Sequence, residues 1–154
     1  MKHSSQYLSE VSKLAKLIKA DEIEKMAQAL CDLRYRGGRL FFLGLGGSAA
    51  NASHAVNDFR KLCNIEAYAP TDNVAELTAR ANDEGWTSIF SEWLAGSRAC
   101  QEDGLFVLSV GGGTNRVSKP LKRAVRLVLS GHVEIFGIVG RNGGYTKKYG
   151  DHVI

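Results

Sequence analysis

The fold is decided by the stretch Leu40-Phe-Phe-Leu-Gly-Leu-Gly-Gly-Ser-Ala-Ala-Asn-Ala-Ser-His-Ala-Val-Asn-Asp58, which passes from an apolar strand through a glycine-rich turn into a helix. Its three glycines bring bare backbone to the start of the helix, where free N–H groups and the helix dipole favour a phosphate. Further along, His54 and Asp58 are four residues apart and therefore share one helix face. The stretch predicts a site for a phosphorylated metabolite with chemistry beside it.

Two amphipathic helices are predicted before this stretch. Apolar residues recur at helical spacing over 5–19, and a second stripe runs from Ile23 to Leu33. Asp21 is a candidate N-cap for the second helix, and Gly37-Gly38 is its expected end. Two helices are more than a minimal nucleotide-binding unit needs. Their apolar stripes are expected either to pack against another subunit or to cover the sheet of their own chain.

The rest of the chain alternates strands and helices. We predict strands at 39–43, 65–69, 105–110, 133–139 and 151–154, helices at 48–62, 86–96 and 117–129, a helix capped by Thr71 or Asp72, and a break at 82–85. This alternation is typical of a parallel sheet with right-handed crossovers, in which ligands bind beyond the carboxyl ends of the strands. We expect one domain over 1–154, with N-terminal helices at 1–37 and an α/β core at 38–154.

The composition is that of a globular, cytoplasmic protein. The 154 residues are 44% apolar and 23% charged, and the net charge of +4 comes from scattered Lys and Arg, so we expect no nucleic-acid partner. The cysteines Cys31, Cys63 and Cys100 show no C-x-x-C spacing, which favours a reduced compartment. No apolar stretch reaches the roughly 20 residues of a membrane helix, so no membrane association is expected.

A second glycine-rich loop follows the strand at 105–110. It contains Gly111, Gly112 and Gly113, and the hydroxyl residues Thr114 and Ser118 come next. Each hydroxyl, like that of Ser48 after the first loop, suits either capping of its own helix or binding of a phosphate oxygen. Because both loops leave neighbouring candidate strands, the pattern favours one shared phosphate site over two separate caps.

The first loop also fits a dinucleotide fingerprint. Gly44-Leu-Gly-Gly-Ser-Ala49 matches G-x-G-x-x-A, and Glu66 lies about twenty residues further on, where such folds place an acid on the ribose. However, Glu66 falls at the front of its strand, and the second glycine loop has no task in that scheme. We therefore expect no nucleotide cofactor. A further alternative is that the glycines only permit close packing of helix on strand.

The pair His54 and Asp58 has three interpretations. It suits an ion pair on the surface, a general acid or base beside a bound sugar, or two donors to a metal. Two donors are too few for zinc, so His152 or a residue of another subunit would have to complete that site.

Four segments together resemble a known family. They are the glycine-rich stretch above, Asn82-Asp83-Glu-Gly-Trp-x-x-Ile-Phe90, Ser109-Val-Gly-Gly-Gly113 and Gly137-Ile-Val-Gly-Arg-Asn-Gly-Gly-Tyr145. Over nearly its whole length the chain resembles the sugar isomerase (SIS) domain, and within it the phosphoheptose isomerases. The resemblance implies a flavodoxin-like three-layer α/β sandwich and a homotetramer with the N-terminal helices between subunits. It also implies conversion of sedoheptulose 7-phosphate to a heptose 7-phosphate through an enediolate, in heptose and surface-polysaccharide biosynthesis, with zinc as the candidate metal.

The resemblance also assigns residues. His54 and Asp58 match a pair linked to metal binding and proton transfer, and Asp83 matches an acid near the substrate. The expected sugar-phosphate ligands are Gly46, Gly47, Ser48, Asn51, Asp83, Gly111, Gly112, Gly113, Thr114 and Ser118.

Three departures from the family pattern stand out. Glycines replace the usual Ser and Thr of the second loop, Asp58 replaces a glutamate, and the family's C-terminal helix with its Gln and His lies beyond Ile154. These departures support an alternative in which the chain is a non-catalytic SIS module that binds a sugar phosphate or a protein partner as a regulator.

Overall fold

The computed structural model describes residues 2–154, which build one five-stranded parallel sheet and its flanking helices. The strands are β1 (Leu40–Leu43), β2 (Ala67–Tyr68), β3 (Gly104–Ser109), β4 (Glu134–Val139) and β5 (His152–Val153). The helices are α1 (His3–Leu17), α2 (Ala20–Tyr35), α3 (Gly47–Cys63), α4 (Val74–Asp83), α5 (Ile89–Gly96), α6 (Lys119–Ser130) and α7 (Gly144–Tyr149). A short 3₁₀ turn, Pro70–Asp72, precedes α4.

The strand order is β2-β1-β3-β4-β5, and every pairing is parallel. This is the flavodoxin-like order, in which the chain reverses its direction of travel across the sheet between β1 and β3. The predicted α/β fold is therefore confirmed. Ligands of such sheets bind at this reversal, beyond the carboxyl ends of β1 and β3.

Alternate residues of the central strands supply two separate cores. Phe41 and Leu43 of β1 pack with α5 and α6 on one face of the sheet, whereas Leu40 and Phe42 pack with α2 and α3 on the other. On α3, Ala52 and Val56 are buried. This packing fixes the start of α3, and with it the first glycine loop, against the end of β1.

The two N-terminal helices differ in what they cover. Helix α2 buries Met26, Ala29 and Leu33 against the sheet. In contrast, no residue of α1 is buried by the described part of the chain, and Leu14 is 62% exposed. The expectation that both helices cover their own sheet is therefore right for α2 and wrong for α1.

Several predicted helix boundaries are wrong, among them the start of α5, which is Ile89 and not residue 86. Asp21 is not an N-cap, because α2 begins one residue earlier, at Ala20. Neither Thr71 nor Asp72 caps α4. The cap is Asn73, whose Oδ1 accepts the Glu76 N–H at 3.2 Å. The predicted break at 82–85 begins too early, because α4 continues to Asp83.

Helix α7 is absent from the sequence prediction. It has only six residues and begins at Gly144, inside what the sequence presents as a turn. Its Thr146 is fully buried, and the Thr146 hydroxyl donates to the Gly112 carbonyl oxygen at 2.9 Å. The helix thus depends on a contact with the second glycine loop. Within 2–154 no helix has the length and apolar character needed to cross a bilayer.

Candidate functional site

The first glycine loop carries β1 into α3. Of the two roles predicted for the Ser48 hydroxyl, capping of α3 is wrong, because Ser48 is not the N-cap of this helix. That position belongs to Gly46, which has φ +60°, and Ser48 is the second helical residue. The Ser48 backbone N–H donates to the Leu45 carbonyl oxygen at 3.2 Å, and the residue is half-buried. Because the Ser48 hydroxyl is not needed as a cap, it remains able to bind a ligand.

Gly44 shows that the close-packing interpretation holds for part of this loop. A Cβ atom at Gly44 would lie 2.2 Å from the Ser48 carbonyl oxygen, which no side chain permits. Gly46 and Gly47 differ, because a Cβ atom on either would meet nothing within 4 Å. Their N–H groups have no acceptor among residues 2–154, and both residues are exposed.

The second loop is held by its own hydroxyl groups. Ser109 Oγ accepts the N–H groups of Gly111 at 3.3 Å and Gly112 at 3.0 Å. Thr114 Oγ1 accepts the Val117 N–H at 2.9 Å, so this hydroxyl closes a turn. Ser118 precedes α6, and its side chain caps no N–H of that helix within the described residues. Ser118 therefore resembles Ser48 in having a hydroxyl that the fold itself does not use.

A third loop lies beside the second one. It is the turn Gly140–Gly143, which follows β4 and is closed by the hydrogen bond from Gly143 N–H to the Gly140 carbonyl oxygen at 3.0 Å. The Gly140 N–H donates to the Ser109 carbonyl oxygen at 3.1 Å. The central residues of the turn, Arg141 and Asn142, are both exposed.

The three loops surround one cavity of about 710 Å³ beyond the carboxyl ends of β1, β3 and β4. Five predicted ligands line it, and they come from both glycine loops: Ser48, Gly111, Gly113, Thr114 and Ser118. The remaining lining residues are Leu45, Ser109, Val110, Val117, Arg141 and Asn142. Hydroxyls, bare backbone and one guanidinium form a surface suited to an anion.

The lining residues Ser109, Arg141 and Asn142 are absent from the predicted set. The sequence does contain a signal for Arg141 and Asn142. The turn Gly140–Gly144 follows a strand of the same parallel sheet, and the carboxyl ends of parallel strands share one edge. The parallel topology therefore predicts that this turn lies beside the first two loops.

His54 and Asp58 lie together on α3 but do not line this cavity. Their nearest atoms, His54 Nε2 and an Asp58 carboxylate oxygen, are 3.3 Å apart, and the side chains are 77% and 42% exposed. No group of three potential His, Cys, Asp or Glu metal ligands occurs in the described part of the chain.

His152 does not complete a metal site with this pair. It starts β5 and contacts Glu134 at 2.9 Å, at the amino edge of the sheet. Catalytic zinc needs three protein ligands, so the two donors of one chain do not fit this metal.

The comparisons with known proteins agree with this architecture. Residues 6–127 match the family model of the SIS domain. The chain belongs to the SIS domain family. It is 29% identical over 147 residues to phosphoheptose isomerase 1 of Campylobacter jejuni subsp. jejuni serotype O:2, an alignment that covers 89% of this chain and 76% of that protein. It is 30% identical over 157 residues to a probable phosphoheptose isomerase of Thermoplasma volcanium, with 97% and 76% covered.

The fold of this SIS domain is also that of a solved phosphoheptose isomerase. The chain superposes on the structure of GmhA from Neisseria gonorrhoeae with a TM-score of 0.83 and 22% identity, covering 97% of this chain and 81% of that one.

Several predicted ligands of the SIS domain lie outside the cavity lining. Gly112 is buried behind it, where a Cβ atom would be 1.8 Å from the Gly143 carbonyl oxygen. Asp83 ends α4 on the exposed surface and accepts a hydrogen bond from Asn82 Nδ2 at 2.7 Å. Gly46, Gly47 and Asn51 are exposed near the start of α3.

The geometry of Glu66 does not fit a dinucleotide site in this SIS domain. Its carbonyl oxygen accepts the Leu40 N–H at 2.8 Å, which places Glu66 at the amino end of β1. Its carboxylate accepts a hydrogen bond from the Tyr68 hydroxyl at 2.8 Å. The acid of a dinucleotide fold has to lie at the carboxyl edge, beside the glycine loop.

Proposed function

We propose that this protein is a phosphosugar isomerase that converts sedoheptulose 7-phosphate to a heptose 7-phosphate. One observation carries the proposal. Ser48 and Ser118, from two separate glycine loops, line a single cavity at the carboxyl edge of the sheet. This cavity occurs in a chain whose relatives are named phosphoheptose isomerases.

The cavity serves as the anchor for the phosphate. The Ser48 and Ser118 hydroxyls donate to phosphate oxygens, and the exposed N–H groups of Gly46 and Gly47 at the start of α3 add to the attraction. Anchoring the phosphate end of an open-chain sugar makes the remaining chemistry effectively unimolecular, because the reacting carbons are then held at a fixed distance from the anchor.

Helix α3 sets that distance. Ser48 and His54 are six residues apart, which is about 9 Å along a helix that rises about 1.5 Å per residue. The carbonyl carbon of the substrate is five carbon–carbon bonds, each about 1.5 Å long, from the carbon bearing the phosphate, so with the phosphoester the extended chain spans roughly 9 Å. Six residues are also a rotation of about 120° around the helix axis, so the Ser48 and His54 side chains leave α3 on different faces. The axial separation therefore matches the length of a seven-carbon sugar phosphate, which has to curve around α3 from the cavity to reach His54.

We assign proton transfer to His54 and Asp58. Isomerisation needs a base that removes a proton from C1, beside the C2 carbonyl, and an acid that protonates the C2 oxygen of the resulting enediolate. The proton held by the base is then returned to C2 while the O1 hydroxyl loses its proton, which forms the aldose. Asp58 is the candidate base, and His54 the candidate proton-transfer group. We assign no step to zinc, because these two donors do not complete a zinc site within one chain.

A homotetramer is part of the proposal. The apolar side chains of α1 face solvent in the isolated chain, including Tyr7, Leu8, Val11, Leu14 and Leu17. Such a continuous exposed stripe is typical of a surface that another subunit covers. Packing of α1 between subunits would bury it.

The setting of the reaction follows the same reasoning. We place the enzyme in the cytoplasm, since its three cysteines are unpaired in the fold. We also propose that residues 1–154 act as one SIS domain supplying heptose phosphate for surface-polysaccharide biosynthesis.

The decisive experiment is incubation of the protein with sedoheptulose 7-phosphate, with and without added zinc, followed by measurement of the aldose product. Formation of heptose 7-phosphate supports the proposal. Thermal stabilisation by the sugar phosphate without any turnover would instead identify a binding module that acts as a regulator. Stabilisation by NAD or NADP, but not by sugar phosphates, would reject a sugar-phosphate site altogether.

A further inference from the structure

We propose that Arg141 is the residue that neutralises the charge of the bound phosphate and so makes this site select phosphorylated sugars. The inference rests on the proposed function, because it concerns the same cavity. Its starting point is the lining itself. Among the described residues around the cavity, Arg141 is the one charged side chain, and the others are hydroxyl, amide, glycine or apolar residues.

The guanidinium of Arg141 has no partner in the fold. It pairs with no carboxylate and donates no hydrogen bond within residues 2–154, whereas Arg36, Arg39, Arg80 and Arg123 each contact an acid. Among the residues that line the cavity, Arg141 is therefore the cation available to an external anion. Guanidinium groups bind phosphate oxygens through two parallel N–H bonds, which neutral hydroxyls do not replace.

The backbone that carries Arg141 is firmly placed beside the second glycine loop. Arg141 has φ +55°, at a central position of the turn Gly140–Gly143. Two hydrogen bonds hold this turn in place, one at its first residue and one just after its last residue. Gly140 N–H donates to the Ser109 carbonyl oxygen at 3.1 Å, and Tyr145 N–H donates to the Gly113 carbonyl oxygen at 2.9 Å.

The second loop explains why a cation is needed here. Its Gly111, Gly112 and Gly113 offer no side-chain donors, and the N–H groups of Gly111 and Gly112 are already bonded to Ser109 Oγ. The loop thus supplies little to hold a dianion. A fixed positive charge on the neighbouring turn supplies the missing attraction, and it distinguishes a phosphorylated sugar from a neutral one.

The test compares Arg141→Ala, Arg141→Lys and the matched control Arg126→Ala, which removes the same charge from an exposed position of α6 outside the cavity. Binding of inorganic phosphate and of sedoheptulose 7-phosphate is measured by calorimetry at constant ionic strength, together with KM and kcat. In Arg141→Ala the substituted residue keeps φ +55°, so the conformational cost of the positive φ is unchanged. Melting without ligand verifies that each variant folds.

We expect Arg141→Ala to weaken phosphate binding and raise KM by about 10- to 100-fold, the size of a charge-assisted hydrogen bond, with little change in kcat. Arg141→Lys should recover part of the loss, and Arg126→Ala should bind like the wild type. Equal phosphate binding by the wild type and Arg141→Ala would overturn the inference and leave the isomerase proposal standing. Phosphate binding that depends on Arg141, without turnover of the sugar phosphate, would support the inference and overturn the isomerase proposal.

Discussion

Asp103 accepts hydrogen bonds from three nitrogen atoms of Arg39: the backbone N–H at 2.9 Å, Nε at 3.1 Å and Nη2 at 2.7 Å. The two residues immediately precede β3 and β1, so this pair joins the amino ends of two neighbouring strands. Burial of the Asp103 carboxyl by itself raises its pKa. The hydrogen bonds from Arg39 and from the Cys100 N–H outweigh burial and hold the pKa below its usual value of 3.8.

This pair predicts acid sensitivity. Because the pKa of Asp103 is lower in the folded than in the unfolded protein, its stabilisation is complete above about pH 4 and is lost as the pH falls through the lowered value. Asp103→Asn should reduce the free energy of unfolding at pH 7 by roughly 2 to 4 kcal/mol, since the Arg39 guanidinium loses its carboxylate.

The measurement is urea unfolding of both proteins at pH 7 and at a series of lower values. Asp103→Asn should weaken the dependence of the free energy of unfolding on pH below about pH 4. Glu22→Gln is the control, because its pair with Lys25 is solvent-exposed and contributes less than about 1 kcal/mol. A variant as stable as the wild type at pH 7 would contradict the prediction.

Gly112 should tolerate no side chain. Its φ is +61° and a Cβ atom would lie 1.8 Å from the Gly143 carbonyl oxygen, so Gly112→Ala should destabilise the fold by about 3 kcal/mol or more. Gly111→Ala is the matched control next to it, where a Cβ atom meets nothing within 4 Å. Thermal unfolding of both variants checks this. Similar losses of stability would show that the second and third loops do not pack as described.

Ser48→Ala should weaken binding of the sugar phosphate without unfolding the protein. The hydroxyl is not a helix cap, so its loss costs the fold little, while one neutral hydrogen bond to the ligand corresponds to about 1 kcal/mol. We expect roughly a fivefold increase in Kd by calorimetry. Ser130→Ala, an exposed serine at the end of α6, is the control, and an unchanged Kd for Ser48→Ala would exclude Ser48 from the anchor.

His54→Ala should lower kcat by about 10²- to 10⁴-fold, the usual contribution of a general acid or base, with binding of inorganic phosphate unaffected. Lys61→Ala, on the same exposed helix face, is the control. Turnover and phosphate affinity are measured on the same preparations. Intact turnover in His54→Ala would remove His54 from the reaction while leaving the phosphate anchor untouched.

Leu14→Glu should dissociate the proposed homotetramer, because a carboxylate would replace an apolar side chain in the stripe of α1. Ser9→Glu, on the opposite face of α1, should leave the assembly intact. Light scattering after size-exclusion chromatography reports the mass of each variant. A wild-type protein that elutes as a monomer, or an assembly that persists in Leu14→Glu, would contradict packing through α1.

The sequence identifies the layers of this fold well and its local boundaries less well. β1 and β3 are apolar runs that only a covered parallel sheet accommodates. The cap of α4 is harder, because Thr71, Asp72 and Asn73 are all good caps. Thr71 and Asp72 do not cap α4. Their side-chain oxygens instead lie 3.2 Å and 2.5 Å from the Ser53 hydroxyl oxygen of α3, a contact between distant parts of the chain. No local pattern contains that information.

The candidate site likewise has a part that the sequence predicts and a part that it does not. Ser48 and Ser118 follow glycine loops, so their meeting is predictable from parallel topology. Arg141 requires knowledge that its turn packs on the second loop, and helix α7 requires the contact of Thr146 with Gly112. Both depend on chain segments about thirty residues apart in sequence, and propensity does not report on such contacts.

The bonds between the second and third loops have a consequence for how this site can change. The N–H groups of Tyr145 and Thr146 donate to the carbonyl oxygens of Gly113 and Gly112, respectively. A side chain at Gly112 would collide with the Gly143 carbonyl oxygen. Neither loop can be lengthened or exchanged alone without breaking the other. Transplanting the specificity of a related enzyme into this scaffold will therefore require moving 109–118 and 140–146 together.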